Sequence, residues 1–279
     1  MSKFSNLIIF ISIFSFSYGN IEITPTIIGG RNATLGQFPY MVSLQAKRHI
    51  GRHGCGGGIL NQRWIMTAAH CIYNIGPDEA IAMVGTVTLS QGGQIYDLEK
   101  LVSHPKFHNG QWRPWFQNNW NDIGLIKTTI PIIFNEFVQP VSINRRRILR
   151  TTPGIIAGFG MYFKNITVYP DEMVMSENLQ YAEMRILSHF ECDIRTNIIN
   201  FLDETYMAPV IHMKSNICTV EPKGVGICFG DSGSMLLKDG QVVGIAVSGV
   251  WLCGNGLPDI FTRVSSFTEW IDSYIYDLN

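Results

Sequence analysis

Residues 225 to 236 read Val-Gly-Ile-Cys-Phe-Gly-Asp-Ser-Gly-Ser-Met-Leu. Within this string Ser232 stands between Asp231 and Gly233, with further glycines at 226 and 230 and a cysteine at 228. Glycines on either side let the backbone turn sharply and hold one hydroxyl at the bend, as a prepared nucleophile requires. A serine hydroxyl attacks poorly at neutral pH. The chain must therefore also supply a base, a group to orient that base, and N–H donors for an oxyanion.

The 279 residues are 46% hydrophobic and 15% charged, enough for a large core in one all-β domain or in two small ones. A net charge of -1 lacks the single-sign footprint of a nucleic-acid binder, so no such partner is expected. Arg145, Arg146, Arg147 and Arg150 read as a solvated loop or, more sharply, as a proteolytic nick site.

At the N-terminus Lys3 precedes an apolar run from Leu7 to Phe14, followed by Ser17-Tyr18-Gly19, which predicts a secretory signal over residues 1–19. The run is less than half of the roughly 20 residues that span a bilayer. A membrane anchor is therefore not expected, and the product should be extracellular. In an oxidising compartment Cys55, Cys71, Cys192, Cys218, Cys228 and Cys253 are candidates for three disulfides rather than metal ligands, and spacing alone does not choose the pairing. No pair has zinc-ribbon spacing. Neither a metal nor a cofactor is expected.

From about residue 38 the chain alternates short β-type runs with Gly, Pro and Asn punctuation. Tyr40 to Leu44, Trp64 to Thr67, Ala80 to Val84, Ile123 to Ile126, Gly154 to Gly158 and Gln241 to Val247 together predict an all-β protein. Phe267, Trp270, Ile271, Tyr274 and Ile275 share one helical face, and Ser266 with Glu269 forms a candidate capping box, so a closing C-terminal helix is expected. The strand pattern lapses around residues 127–152, a candidate crossover between two β halves. No repeat of fixed period links the halves. Asn32 in N-A-T and Asn165 in N-I-T are glycosylation candidates.

Three separated segments, Thr67-Ala68-Ala69-His70-Cys71, Asn121-Asp122-Ile123-Gly124-Leu125-Ile126 and Gly230-Asp231-Ser232-Gly233, resemble in that order the chymotrypsin-like serine endopeptidases. Ile27-Ile28-Gly29-Gly30, Phe38-Pro39, Val138-Gln139-Pro140, Ala157-Gly158-Phe159-Gly160 and Pro258 to Val264 extend the likeness over the chain after residue 26. Tyr96 to Leu101 and Ser265-Ser266-Phe267 are most similar to insect members. Taken singly, His70 reads as a bonded core histidine, Asp122 as a strand-start cap and Ser232 as a turn residue. Their joint occurrence in one order carries the resemblance.

The resemblance implies two six-stranded antiparallel β-barrels with the C-terminal helix, and disulfides Cys55–Cys71, Cys192–Cys218 and Cys228–Cys253. It implies that His70 is general base and then acid, Asp122 its orienter, and Ser232 the nucleophile that forms an acyl-enzyme on polypeptide substrates. The N–H groups of Gly230 and Ser232 would form the oxyanion hole, and Ser248 would start the strand on which substrate backbone pairs. Release of a propeptide, residues 20–26, would let the α-amino group of Ile27 pair with Asp231. Thr26 after Pro25 stands where the family has a basic residue, so an activating protease of non-trypsin specificity is expected.

At the expected pocket, Gly226 and Ile227 give a floor without a trypsin-like charge, favouring Phe, Tyr, Leu or Met before the cut. Val250 would narrow one wall. Asp259 on the opposite wall reads either as tolerance for Lys or Arg or as a rim carboxylate bonded to backbone. Insertions carrying Trp112, Trp115, Phe116 and Trp120, and spanning Asn197 to Met213, lie near the cleft. Gly85 to Ile95 holds no acidic residue, so no calcium is expected. Ser234-Met235 replaces the family's Gly-Pro, and a glycine-only backbone at 234 would make serine cost about 1 kcal/mol. The expected product is a secreted monomeric endopeptidase that protein protease inhibitors would bind. The alternative is a non-catalytic homologue acting as a binding or regulatory module.

Overall fold

The structure is a computed structural model, and it describes residues 27–107, 120–163, 173–202, 211–212, 214–249 and 253–276, with the side chains of 163, 173 and 199–202 excepted. The expected signal and propeptide, Asn165, Val250, Trp112, Trp115 and Phe116 lie outside the described residues.

Six strands close the first barrel: β1 (Met41–Ala46), β2 (His53–Ile59), β3 (Trp64–Thr67), β4 (Ala80–Val84), β5 (Gln94–Ser103) and β6 (Gly124–Thr128), in the order β1-β2-β3-β6-β5-β4. The second comprises β7 (Thr152–Gly158), β8 (Gln180–Ile186), β9 (Asn216–Thr219), β10 (Met235–Lys238), β11 (Gln241–Gly249) and β12 (Asp259–Arg263), in the order β7-β8-β9-β12-β11-β10, closed by pairing of β7 with both β8 and β10. Numbered within each half, the two orders are the same. The repeat invisible in the sequence is present in the topology. A short strand, Arg31–Asn32, adds to β8 and ties the start of the chain to the second barrel.

Period-2 alternation explains how single strands serve two cores. Val42 and Leu44 of β1 and Ile65 of β3 fill the first barrel, while Met41, Trp64 and Met66 face a seam shared with Ala157, Phe159, Met235 and Ile245 of the second half. Each such side chain contributes about 1.5–3 kcal/mol on burial, so the seam fixes the two barrels together. The closing helix α2 (Thr268–Ile275) packs Phe267 and Ile271 into this seam, with Trp270, Tyr274 and Ile275 partly buried beside them. Its predicted capping box does not form: the N-cap is Phe267, without a side-chain cap, and Ser266 Oγ donates to the Lys214 carbonyl instead.

A second helix, α1 (His189–Leu202), was not anticipated. Its start was legible, because Ser188-x-x-Glu191 has capping-box spacing and the Glu191 N–H donates to Ser188 Oγ at 3.2 Å. Phe190, Ile194 and Ile198 hid the helix, since they recur every fourth residue yet stay exposed. Cys192 on its buried side joins Cys218 of β9, so part of the expected insertion after residue 197 is helical.

At the seam the barrels meet nearly backbone to backbone. Gly56 N–H of β2 donates to the Ser232 carbonyl at 2.7 Å, and a side chain on Gly56 would run into Ser234 Oγ. Ser234 lies between Gly56 and Gly158 and keeps a negative φ. The backbone strain anticipated for serine there is absent. Instead its buried hydroxyl has no hydrogen-bond partner among the described residues, at a cost of about 1–3 kcal/mol. Ser234→Ala removes the hydroxyl and keeps Cβ, and should raise the urea unfolding free energy by about 1–3 kcal/mol. An unchanged or lower urea midpoint would mean that the hydroxyl is already satisfied.

Candidate active site

His70 follows β3 in a single turn of 3-10 helix, Ala69–Cys71, and the Cys55–Cys71 disulfide pins that turn to β2. Asp122 arrives from the other side, two residues before β6. Asn121 makes the approach with φ 54°, a left-handed conformation that asparagine tolerates. The Asp122 carboxylate is fully buried and spends both oxygens on one residue. Oδ1 accepts the His70 backbone N–H at 2.9 Å, and Oδ2 lies 2.6 Å from His70 Nδ1. With Nδ1 donating, Nε2 is left as an acceptor on a ring whose side chain is about one quarter exposed. Thr262 Oγ1 of the second barrel donates to the Asp122 carbonyl at 2.7 Å. The sulfurs of Cys55 and Cys71 cluster with His70, but both are spent in the disulfide.

The Ser232 loop comes from the second barrel. Its form rests on a ladder of short bonds: Asp231 N–H to the Cys228 carbonyl at 3.0 Å, Ser234 N–H to the Asp231 carbonyl at 2.9 Å, and Gly233 N–H to the Ala246 carbonyl at 2.8 Å. Gly233 has φ 83° and touches the first barrel so closely that a Cβ would strike the Gly56 carbonyl and Thr67 Oγ1. This contact seats the residue after Ser232 against Thr67 and Ala68, just ahead of His70 in the sequence. Among the described residues no hydrogen bond joins Ser232 Oγ to His70 Nε2. The Gly230 and Ser232 N–H groups likewise have no backbone partner among the described residues, whereas those of Asp231, Gly233 and Ser234 all do.

Gly230 has φ 94°, and its carbonyl is held away from the cleft by His53 Nε2 at 2.8 Å. Ser43 Oγ lies 2.8 Å from the other nitrogen, Nδ1. Burial pushes His53 down to about 4, so it is neutral at physiological pH, donating from Nε2 and accepting at Nδ1. His53 and Ser43 were missed in the sequence because the contact spans 177 positions. The Asp231 carboxyl is fully buried and accepts the N–H groups of Gly160 and Cys228, each at 2.9 Å. Burial pushes it up to about 7 despite these two donors. Ile27 is also fully buried, in the second-barrel core with Ile156 and Ile227, and Ile28 accepts the Gly226 N–H at 3.1 Å.

Cys228–Cys253 joins this loop to the segment that follows β11. Gly226 and Ile227 are buried beside it, and Ser248 and Gly249 end β11 half-exposed. Asp259 is not a rim group. It is 6% exposed, its Oδ2 accepts the Ile227 N–H at 3.0 Å, and a Cβ on Gly226 would lie 2.9 Å from that oxygen. Asn32 is exposed, with Oδ1 accepting from Gln180 Nε2 at 2.5 Å. Trp120 packs against His212 with ring centroids 5.2 Å apart and planes tilted by 41°, close in sequence to Asp122.

Residues 27–271 match the Trypsin family. Chymotrypsin-2 of Vespa crabro is 30% identical over 246 residues, 88% of this chain and 98% of the relative. Anionic trypsin of Bos taurus is 29% identical over 250 residues, covering 89% of each. Among solved structures, human heparin binding protein superposes with a TM-score of 0.68 at 25% identity, over 90% of this chain and 98% of that one. Two barrels of the same strand order, meeting at a histidine from one and a serine loop from the other, agree with those likenesses, and the chain belongs to the trypsin family of serine proteases.

Proposed function

We propose that the protein is a secreted endopeptidase that cleaves polypeptides through an acyl-enzyme on Ser232. The observation that carries the reading is the buried Asp122 carboxylate, which accepts from the His70 backbone N–H and from Nδ1 and so leaves Nε2 able to take a proton. His70 takes the Ser232 proton and later gives it to the leaving amine, while Asp122 keeps the imidazole in one tautomer and stabilises its charged form. The N–H groups of Gly230 and Ser232, without a backbone partner among the described residues, receive the oxyanion. The half-exposed edge of β11 at Ser248 and Gly249 offers backbone for an extended peptide. No helix among the described residues is long and apolar enough to cross a membrane.

The pocket floor of Gly226 and Ile227 supports preference for Phe, Tyr, Leu or Met before the cut. The second reading, a non-catalytic homologue with a binding role, is favoured by one observation, the missing Ser232–His70 hydrogen bond. Such bonds are often long in the absence of substrate. A fluorophosphonate probe separates the two readings. Covalent labelling is expected at Ser232, lost in Ser232→Ala, with kcat falling roughly 10⁴-fold or more in His70→Ala. Folded protein that takes up no probe would refute the enzyme reading.

Activation follows from Asp231. Its carboxyl, raised from an unfolded value near 4 to about 7, binds its proton more tightly in the fold. The stability it contributes is complete below about pH 4 and is lost as pH rises through about 7. In the uncut chain this amounts to at most about 4 kcal/mol. Cleavage before Ile27 supplies an ammonium group able to pair with the ionised carboxylate, and the pair orders the oxyanion loop. Urea midpoints of the uncut chain should fall between pH 4 and 7, less so in Asp231→Asn and less so after cleavage. A functional form whose N-terminal sequence still begins at Asn20 would sink the switch.

A further inference from the structure

The crossover between the barrels is anchored at both ends and loose between them. Before it, Ile143 bridges to Val242 of β11 and the Asn144 N–H donates to the Val242 carbonyl at 2.8 Å. Both terminal guanidinium nitrogens of Arg145 bind the Asp272 carboxylate of α2, at 2.6 and 2.8 Å. After it, Thr151 Oγ1 donates to Glu191 of α1 at 2.8 Å and accepts the Ser188 N–H at 3.1 Å, and β7 follows at Thr152. Between these anchors Ile148 is half-buried against the second-barrel core, but the backbone groups of Ile148, Leu149 and Arg150 make no hydrogen bond among the described residues. Leu149 is 77% exposed, and Arg146, Arg147 and Arg150 are exposed around it.

The disulfides give a break in this loop a consequence. Cys55–Cys71 lies wholly before it, Cys192–Cys218 and Cys228–Cys253 lie wholly after it, and no cysteine is free. Only the main chain joins the two halves covalently. We propose that the Arg150–Thr151 bond is a processing site for an arginine-specific protease, and that its cleavage turns the protein into two chains held together by non-covalent contacts alone.

A protease must draw several residues into an extended strand, which costs least where no backbone hydrogen bond has to break. Arg150 supplies a cation just before the cut and Arg147 a second one three residues upstream, a pair that suits a partner with two acidic subsites. The exposed arginines Arg48 and Arg52, between β1 and β2, sit instead in a closed turn. There the Arg52 N–H donates to the His49 carbonyl at 2.9 Å and the Gly51 N–H to Gln45 Oε1 at 2.7 Å.

Hydrolysis adds one water across the bond. Arg150 gains a carboxylate, and Thr151 gains an ammonium group on the residue whose hydroxyl already binds Glu191. Contacts across the cut remain: strand Arg31–Asn32 on β8, the Gly56 N–H on the Ser232 carbonyl, Thr262 Oγ1 on the Asp122 carbonyl, and Arg145 on Asp272. The change lies in how the protein unfolds. The uncut chain unfolds in a unimolecular step, whereas the cut form must also dissociate, so its stability depends on concentration by mass action.

The test is limited proteolysis of the purified, folded protein with an arginine-specific endoprotease, on the Ser232→Ala chain so that every cut comes from the added enzyme. The first new N-terminus should be Thr151. The product should run as two pieces on a non-reducing denaturing gel and as one species of unchanged size in native gel filtration. Its urea midpoint should fall by about 0.5 M for each tenfold dilution, while that of the uncut chain stays fixed. Arg150→Gln should remove this cut and leave the midpoint of the uncut chain unchanged. A first cut elsewhere, a single band without reductant, halves that part in native gel filtration, or a midpoint of the cut form that ignores dilution overturns the proposal. None of these readouts needs Ser232 to be a nucleophile, so they stand or fall apart from the enzyme reading.

Discussion

The close approach of Gly56 to the Ser232 loop is the contact on which the cleft depends. A backbone hydrogen bond, Gly56 N–H to the Ser232 carbonyl, crosses between barrels at the cleft, and Gly233 fits against Thr67 and Ala68 only because it lacks a side chain. His70 follows that same strand end by three residues, so its distance from the serine loop is set by main chain and not by flexible side chains. The Cys55–Cys71 disulfide then fixes the turn against the strand that carries Gly56. Thr262 reaches back from the second barrel to the Asp122 carbonyl. Each half thus supplies a support for the other half's functional group.

Around this contact the chain buries several ionisable groups and gives each a different solution. Asp122 spends both oxygens on His70. Asp231 receives two N–H groups, yet burial still raises it to about 7, which makes it responsive to a new cation. Asp259 receives one N–H and rises further, to about 8. His53 is pushed the other way and stays neutral, which suits it to hold the Gly230 carbonyl without adding charge beneath the Ser232 loop. In both, the N–H donors offset part of the desolvation cost, and the neighbouring carboxylates of Asp231 and Glu221 add to the rise at Asp259.

Much of this was legible in the sequence where physical chemistry leaves local marks. The strands were readable from apolar alternation between glycine and asparagine turns, and α2 from the spacing of Phe267, Ile271 and Tyr274. The serine loop was readable from its glycines, because Gly230 and Gly233 adopt conformations that other residues avoid. What could not be read has no local mark. His53 meets Gly230 across 177 positions, and nothing in its neighbours separates it from a surface histidine. Asp259 was placed on a pocket wall by resemblance, but its carboxyl is packed against Gly226 and Gly249, brought together only by the closed second barrel. The capping box at Ser266 failed for a similar reason, since tertiary contact with Lys214 took the hydroxyl that local spacing assigned to the helix.

The two departures that looked most damaging have one structural logic. Ser234 and Asp259 each add polar atoms to a crowded interior, and in each case the neighbours they meet are glycines: Gly56 and Gly158 around Ser234, Gly226 and Gly249 around Asp259. Volume is thus accommodated by side chains the facing positions do not have, and neither substitution needs the backbone to move. Polarity is treated differently at the two sites. Among the described residues the Ser234 hydroxyl is enclosed with no partner and so costs stability, whereas the Asp259 carboxyl keeps one bonded oxygen and a residual exposure of 6%.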